Sequence, residues 1–184
     1  MNYTETTLPG VWILEPTVFK DPRGYFLEAF KQAEFEEKIG QVNFIQDNES
    51  SSSKGVLRGL HFQRAPYAQA KLVRVIVGSV LDVAVDIREG SPTFGQHVAV
   101  ELSADNKRQL FIPRGFAHGF QVLSDKAIFT YKVDAPYAPT HEASILYKDP
   151  AIGIQWHTLD GAETILSEKD KTAPLLSELF NTLK

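Results

Sequence analysis

Strict alternation is the feature that most restricts this chain. Leu81, Val83, Val85 and Ile87 share one parity, while Asp82, Asp86 and Arg88 share the other. Val98, Val100 and Leu102 alternate in the same way with His97, Ala99 and Glu101. Successive strand side chains point to opposite sides, so a period of two implies strands with one buried and one wetter face. Turn signals interrupt these runs at Gly55, Pro66, Gly78, Gly90-Ser91-Pro92, Asp105-Asn106 and Pro113-Arg114-Gly115. Spacings of about 8–12 residues suit an antiparallel sandwich or barrel, not βαβ units. Residues 42–133 are read as mostly strand. Residues 1–30 are read as short strands around a D-P-R-G turn at Asp21 to Gly24. Helix is expected only at the margins. Phe35 and Ile39 lie four apart among charged residues in Lys31 to Ile39, with Gly40 as a stop. Leu175, Leu176, Leu179 and Leu183 follow Pro174 at helical spacing.

The 184 residues are 43% hydrophobic, enough for one compact core. No Pro/Gly/Ser linker divides the chain, so residues 1–184 are read as one domain. The net charge is −4 from 19 basic and 23 acidic residues, without a long basic block. Bulk binding to nucleic acid or to an anionic membrane is not expected; a few converging cations still suffice for a small anion. The absence of cysteine excludes disulfides, thiolate metal sites and cysteine nucleophiles. No run approaches the roughly 18 apolar residues of a membrane span, and the N-terminus has no apolar leader. A soluble cytoplasmic protein is expected. The phosphate-binding glycine motifs and the G-x-S-x-G elbow are missing.

Several residues carry chemistry that the pattern alone leaves open. His61, in L-R-G-L-H-F-Q, is either a core histidine satisfied by backbone or a general base suited to neutral pH. Strict alternation separates it from Arg58; a bulge at Gly59 can bring both to one site. Lys71 shares parity with Val73, Val75 and Val77. It either snorkels to solvent or stands as a cation in a cavity, placed to stabilise an oxyanion. His118 follows a P-x-G-x-x-H turn and can face a barrel interior. A metal is not expected, because the neighbourhood of His61 has no H-x-H and no nearby glutamate. Tyr131, in register with Phe129 and Val133, is a packed tyrosine or a proton donor. Asp170 lies in an ordinary charged turn or folds back to hold a histidine in its useful tautomer. Arg23, Arg58 and Lys169 can pair with phosphate oxygens. Glu28 and the Gln46-Asp47-Asn48 run add polar candidates; Phe19, Phe26 and Tyr137 can stack on a base or simply pack.

Taken together, the segments resemble the dTDP-4-dehydrorhamnose 3,5-epimerase family. The likeness rests on V-F-K-D-P-R-G-Y-F-L-E at 18–28, F-I-Q-D-N at 44–48, V-L-R-G-L-H-F-Q at 56–63 and Q-A-K-L-V-R at 69–74. It continues through L-D-V-A-V-D-I-R at 81–88, the run from Leu102 to Phe120, Y-K at 131–132, I-G-I-Q-W at 152–156 and L-S-E-K-D at 166–170. The resemblance implies an all-β fold: a cupin-type jelly roll, or double-stranded β-helix, with short peripheral helices. It further implies a homodimer that needs neither metal nor cofactor, and a dTDP-linked 4-keto-6-deoxy sugar as substrate. The family's base matches His61, its supporting aspartate Asp170 and its acid Tyr131. Its substrate contacts match Arg23, Glu28, Gln46, Asn48, Arg58, Lys71, His118, Glu142 and Lys169. Members often exchange N-terminal strands, so Arg23 and Glu28 are expected to serve a partner's pocket.

Overall fold

A computed structural model describes residues 1–180. Its first strands are β1 (Asn2–Glu5), β2 (Trp12–Glu15), β3 (Val18–Asp21) and β4 (Gly24–Leu27), followed by helix α1 (Gln32–Lys38). Then come β5 (Gln46–Ser53), β6 (Leu57–Gln63), β7 (Lys71–Val77), β8 (Ser79–Asp86) and β9 (His97–Ser103). The series continues with β10 (Gln109–Ile112), β11 (Phe116–Val122), β12 (Lys126–Val133) and β13 (Glu142–Ser144). Helices α2 (Glu168–Lys171) and α3 (Leu176–Leu179) follow. The strands form a six-stranded sheet ordered β1-β2-β10-β7-β12-β5 and a five-stranded sheet ordered β13-β6-β11-β8-β9, while β3 and β4 make a separate hairpin. Every pairing within these sheets is antiparallel. The architecture is a cupin-type jelly roll, as the resemblance implies.

The alternating pattern assigned the faces of β8 correctly but misjudged what covers them. Val80 and Ala84 face the space between the sheets, with Val73, Val75, Leu110, Phe120 and Phe129. Leu81, Val83 and Val85 face the other way, yet they too are buried, under Ile145, Ile152, Ile154 and Leu176. The C-terminal segment covers that outer face, so β8 has no wet side. Asp82 and Asp86, expected on a wetter face, are fully buried. A buried carboxylate is stable only with partners. Asp86 has them: the Arg88 guanidinium and the Ser91 and Thr93 hydroxyls all donate to it.

Helix α1 matches its expectation to within one residue at each end. Phe35 is its buried anchor, packed edge-on against Phe44 and Phe111 beneath the six-stranded sheet. The C-terminal helix is shorter than the leucine spacing suggests: α3 ends at Leu179, and Leu183 lies outside the described residues.

One irregularity shapes the interior. Gly59 has φ 125°, and a side chain there would come within 2.5 Å of the Gly119 Cα. The β6–β11 register shifts beside it, between His118 and Phe120. Only glycine tolerates both the backbone conformation and the approach. The expected bulge is therefore present, next to His61.

Candidate active site

His61 and His118 are register partners on β6 and β11, so both rings share the inner face of the five-stranded sheet. The His61 Nε2 lies 2.6 Å from Asp170 Oδ1. A carboxylate only accepts, so Nε2 carries the proton and Nδ1 keeps its lone pair. Asp170 is 2% exposed and sits in α2, where its backbone N–H is capped by the Ser167 hydroxyl. Burial alone would push the Asp170 carboxyl up. Hydrogen bonds from His61, Ser167 and the Gly59 backbone outweigh that and hold it below the usual carboxylate range. Of the two readings the sequence leaves open for Asp170, the structure shows the second: a buried carboxylate aimed at an imidazole.

The His118 Nε2 is 2.9 Å from Asp82 Oδ2. Burial, reinforced by the nearby Lys71 ammonium, holds His118 below the ordinary histidine pKa, despite Asp82. The ring is therefore neutral at pH 7, with its N–H committed to Asp82. Its other nitrogen offers a lone pair, not a donor. Asp82 Oδ1 is buried without a hydrogen-bond partner among the described residues. This aspartate was missed as a site residue. The available signal was a lone carboxylate at the parity of Val80 and Ala84, which a two-sided strand turns inward.

Lys71 and Tyr131 come from the opposite sheet. Tyr131 pairs with Val73 across β12 and β7, and Val73 belongs to the inter-sheet core, so Tyr131 faces inward. Burial pushes the Lys71 amine down to about 8, opposed by the negative charges of Asp82 and Glu142. Burial also raises the Tyr131 phenol, with Arg58 acting against it and Glu142 with it. Register agrees: Arg58 and Asp82 lie opposite Phe120, and Lys71 opposite Ile112, both residues of the inter-sheet core, so these side chains share the inner faces with His61, His118 and Tyr131. The bulge at Gly59 brings Arg58 and His61 together to the cleft between those faces.

The rim is held by ion pairs. Glu142 Oε2 takes the Lys169 Nζ at 2.7 Å and the Tyr137 hydroxyl at 2.9 Å. Burial would raise Glu142, but these two donors and His61 bring it below its usual value. Asn48 is the register partner of Tyr131 and accepts from the Gln46 amide at 2.7 Å. Asp47 has the opposite parity and pairs with Lys132 at 2.9 Å on the outer face. A groove of about 500 Å³ lies there, lined mostly from the outer face by residues such as Phe30, Asp47, Leu72, Arg74 and Lys132, with Asn48 and Tyr131 also in its wall; neither imidazole lines it.

The hairpin candidates are not brought to the cleft within this chain. Phe19 and Phe26 lie tilted against each other on the β3–β4 hairpin, ring centroids 6.5 Å apart, and are 59% and 65% exposed. Among the described residues the Arg23 side chain pairs with neighbouring Asp21. The hairpin borders the outer side of the six-stranded sheet, near Arg74, Ile76 and Lys107. No group of three or more histidine, aspartate or glutamate side chains suited to holding a metal ion occurs among the described residues.

Fold and site together define a class: a cupin-type jelly roll whose inner cleft carries an imidazole on one sheet and a phenol on the other. Known proteins narrow that class. Residues 5–178 match the family model described as dTDP-4-dehydrorhamnose 3,5-epimerase. A dTDP-4-dehydrorhamnose 3,5-epimerase of Salmonella typhimurium is 59% identical over 183 residues, covering 99% of each chain. The crystal structure of dTDP-6-deoxy-D-glucose-3,5-epimerase from Legionella pneumophila, in complex with dTDP-4-keto-L-rhamnose, superposes with a TM-score of 0.93. It is 50% identical and covers 98% of this chain and 95% of that one. A 3'-monoepimerase from Streptomyces bikiniensis, in complex with dTDP-quinovose, gives a TM-score of 0.89 at 35% identity, covering 97% and 90%. This chain belongs to the dTDP-4-dehydrorhamnose 3,5-epimerase family.

Proposed function

We propose that the chain inverts carbons 3 and 5 of dTDP-4-dehydro-6-deoxy-D-glucose, giving dTDP-4-dehydro-L-rhamnose. The observation that carries the mechanism is the placement of His61 and Tyr131 on facing sheets, with His61 pinned by a buried aspartate. A ketone at carbon 4 acidifies the protons on carbons 3 and 5, because the carbanion charge spreads onto oxygen. His61 Nδ1 removes such a proton, and Asp170 stabilises the imidazolium that forms. Lys71, still protonated below about pH 8, faces the developing enolate oxygen. Neutral His118 accepts and Asp82 holds it, which leaves Lys71 and Arg58 as the donors to that oxygen. Tyr131 returns a proton from the other face. Its raised pKa keeps the phenol protonated until an enolate is there to take the proton. Delivery from the face opposite the base gives inversion; delivery by the base itself restores the starting sugar.

Arg58, Lys169, Glu142, Gln46, Asn48 and Tyr137 rim the cleft as contacts for the sugar and its diphosphate. The β3–β4 hairpin is read as an arm for a second copy of the chain. Three large exposed aromatics, Phe19, Tyr25 and Phe26, are otherwise left in solvent. In such a dimer Arg23 and Glu28 reach the other copy's cleft, and residues 1–184 act as one domain. No described helix is long and apolar enough to cross a membrane. A cytoplasmic site of action accords with a nucleotide-activated substrate.

A coupled assay tests the activity. The chain is supplied with dTDP-4-keto-6-deoxyglucose, then with a 4-keto reductase and NADPH. Formation of dTDP-L-rhamnose is expected. Reduction only to sugars with the original configuration at carbon 3 or carbon 5 would overturn the reading.

A further inference from the structure

We infer that Gln63 is a positioning residue that sets substrate affinity by clamping the backbone on both sides of Tyr137. Gln63 closes β6, two residues beyond His61, and its side chain is buried. Its amide nitrogen donates to the Pro136 carbonyl at 3.1 Å and the Tyr67 carbonyl at 2.7 Å. Its amide oxygen accepts from the Ala138 backbone N–H at 2.7 Å. Both amide hydrogens and the oxygen are thus committed to backbone, and two of those bonds bracket one residue.

That residue is Tyr137, which is 58% exposed yet held by its hydroxyl to Glu142. Among the described residues little else fixes its backbone. Gln69 donates to the Ala135 carbonyl, and Arg64 N–H to the His141 carbonyl, which secures only the flanks of the segment. Glu142 is the register partner of Gln63 and also binds Lys169, the neighbour of Asp170. One buried amide therefore ties the strand carrying the imidazole to the loop carrying the rim. An aromatic side chain presented by a loop contributes to binding only if the loop is held beforehand, since ordering it later subtracts from affinity.

The inference rests on the reading of Tyr137 and Glu142 as substrate contacts, and the experiment separates the two. Steady-state kinetics are measured for Gln63→Leu, Tyr137→Ala and the double variant. Gln63→Leu keeps the volume and removes all three bonds. It is expected to raise KM about tenfold with kcat within about twofold, the signature of lost binding. Tyr137→Ala should do the same, and the double variant should add little further, because both act through one contact. An unchanged KM in Tyr137→Ala overturns the rim reading itself. A raised KM there, with multiplicative effects in the double variant, overturns the inference alone.

Gln63→Glu covers the case in which the leucine variant fails to fold. An ionised carboxylate accepts from Ala138 but repels the two carbonyls; a protonated one can again donate to one of them. The KM ratio to wild type should therefore fall as pH falls. A ratio independent of pH, or a loss confined to kcat and thermal stability, would mean that Gln63 only supports the fold.

Discussion

Replacing Asp170 with asparagine removes one charge and changes almost no volume, yet the structure predicts a severe loss. Three donors converge on this carboxylate: the His61 Nε2–H at 2.6 Å, the Ser167 hydroxyl and the Gly59 backbone N–H. A carboxylate accepts all three. An asparagine keeps one acceptor oxygen, and where the donors use both oxygens its NH2 faces one of them. Facing Gly59, it sets two donors against each other in a buried place. Facing His61, it forces the ring to accept at Nε2, which moves the proton to Nδ1, the atom that should take the substrate proton. The backbone cannot change tautomer and the histidine can, so the second arrangement wins.

A wrong tautomer in a histidine–carboxylate pair lowers kcat by about 10⁴, or roughly 5.4 kcal/mol at 1.36 kcal/mol per decade. The coupled reductase assay measures kcat, and solvent-deuterium uptake reports proton removal separately. Both should fall together in Asp170→Asn, with KM little changed. Far-ultraviolet circular dichroism checks the fold. A folded variant within tenfold of wild-type kcat would refute the tautomer argument. There is also a pH consequence. The folded-state pKa of Asp170 lies below its unfolded value. The carboxylate therefore contributes stability above the unfolded pKa, and loses it as pH falls through the folded one. The asparagine variant should lack that component of acid sensitivity in thermal melts.

Further outcomes follow from the same geometry. Lys71→Met should lower kcat in the coupled assay by about 10²–10³, the scale of one lost oxyanion contact. The wild-type rate should decline as pH rises through about 8, where Lys71 loses its proton. Asp82→Asn removes a negative charge that favours this ammonium, leaving Glu142 to oppose burial and the His118 ring as a neutral neighbour. The alkaline limb of the kcat profile should then move to lower pH; a limb that stays in place would exclude Asp82 from this role. Gly59→Ala should cost more than about 2 kcal/mol in denaturant unfolding, since its side chain would stand 2.5 Å from the Gly119 Cα.

The fold class was legible because period-two alternation and turn spacing are local signals. Gly59 was legible too, as a glycine interrupting an otherwise continuous strand pattern. The burial of Asp82 was not. Alternation assigns a face but not what covers it, and the cover on the outer side of β8 arrives some 60–90 residues later, from Ile145 to Leu176. Asp170 was open between two readings for the same reason: its partner is 109 residues away in sequence. Lys71 could be placed on the core-facing parity, and Tyr131 on that of Phe129, but only the opposed sheets put phenol and imidazole across one cleft. The hairpin residues show the converse. Arg23 and Glu28 stand out in sequence by resemblance, and Phe19 and Phe26 as aromatics near a turn, yet one chain folds them away from the cleft.

The account depends on proton removal from one side of the sugar ring and return from the other. Its most direct measurement is proton NMR of the sugar in D₂O with wild type, His61→Ala and Tyr131→Phe. Wild type should place deuterium at carbons 3 and 5 of the inverted product. His61→Ala should leave the substrate unlabelled, and Tyr131→Phe should exchange deuterium without completing inversion. Unimpaired labelling by the alanine variant, or full inversion by the phenylalanine variant, would contradict it.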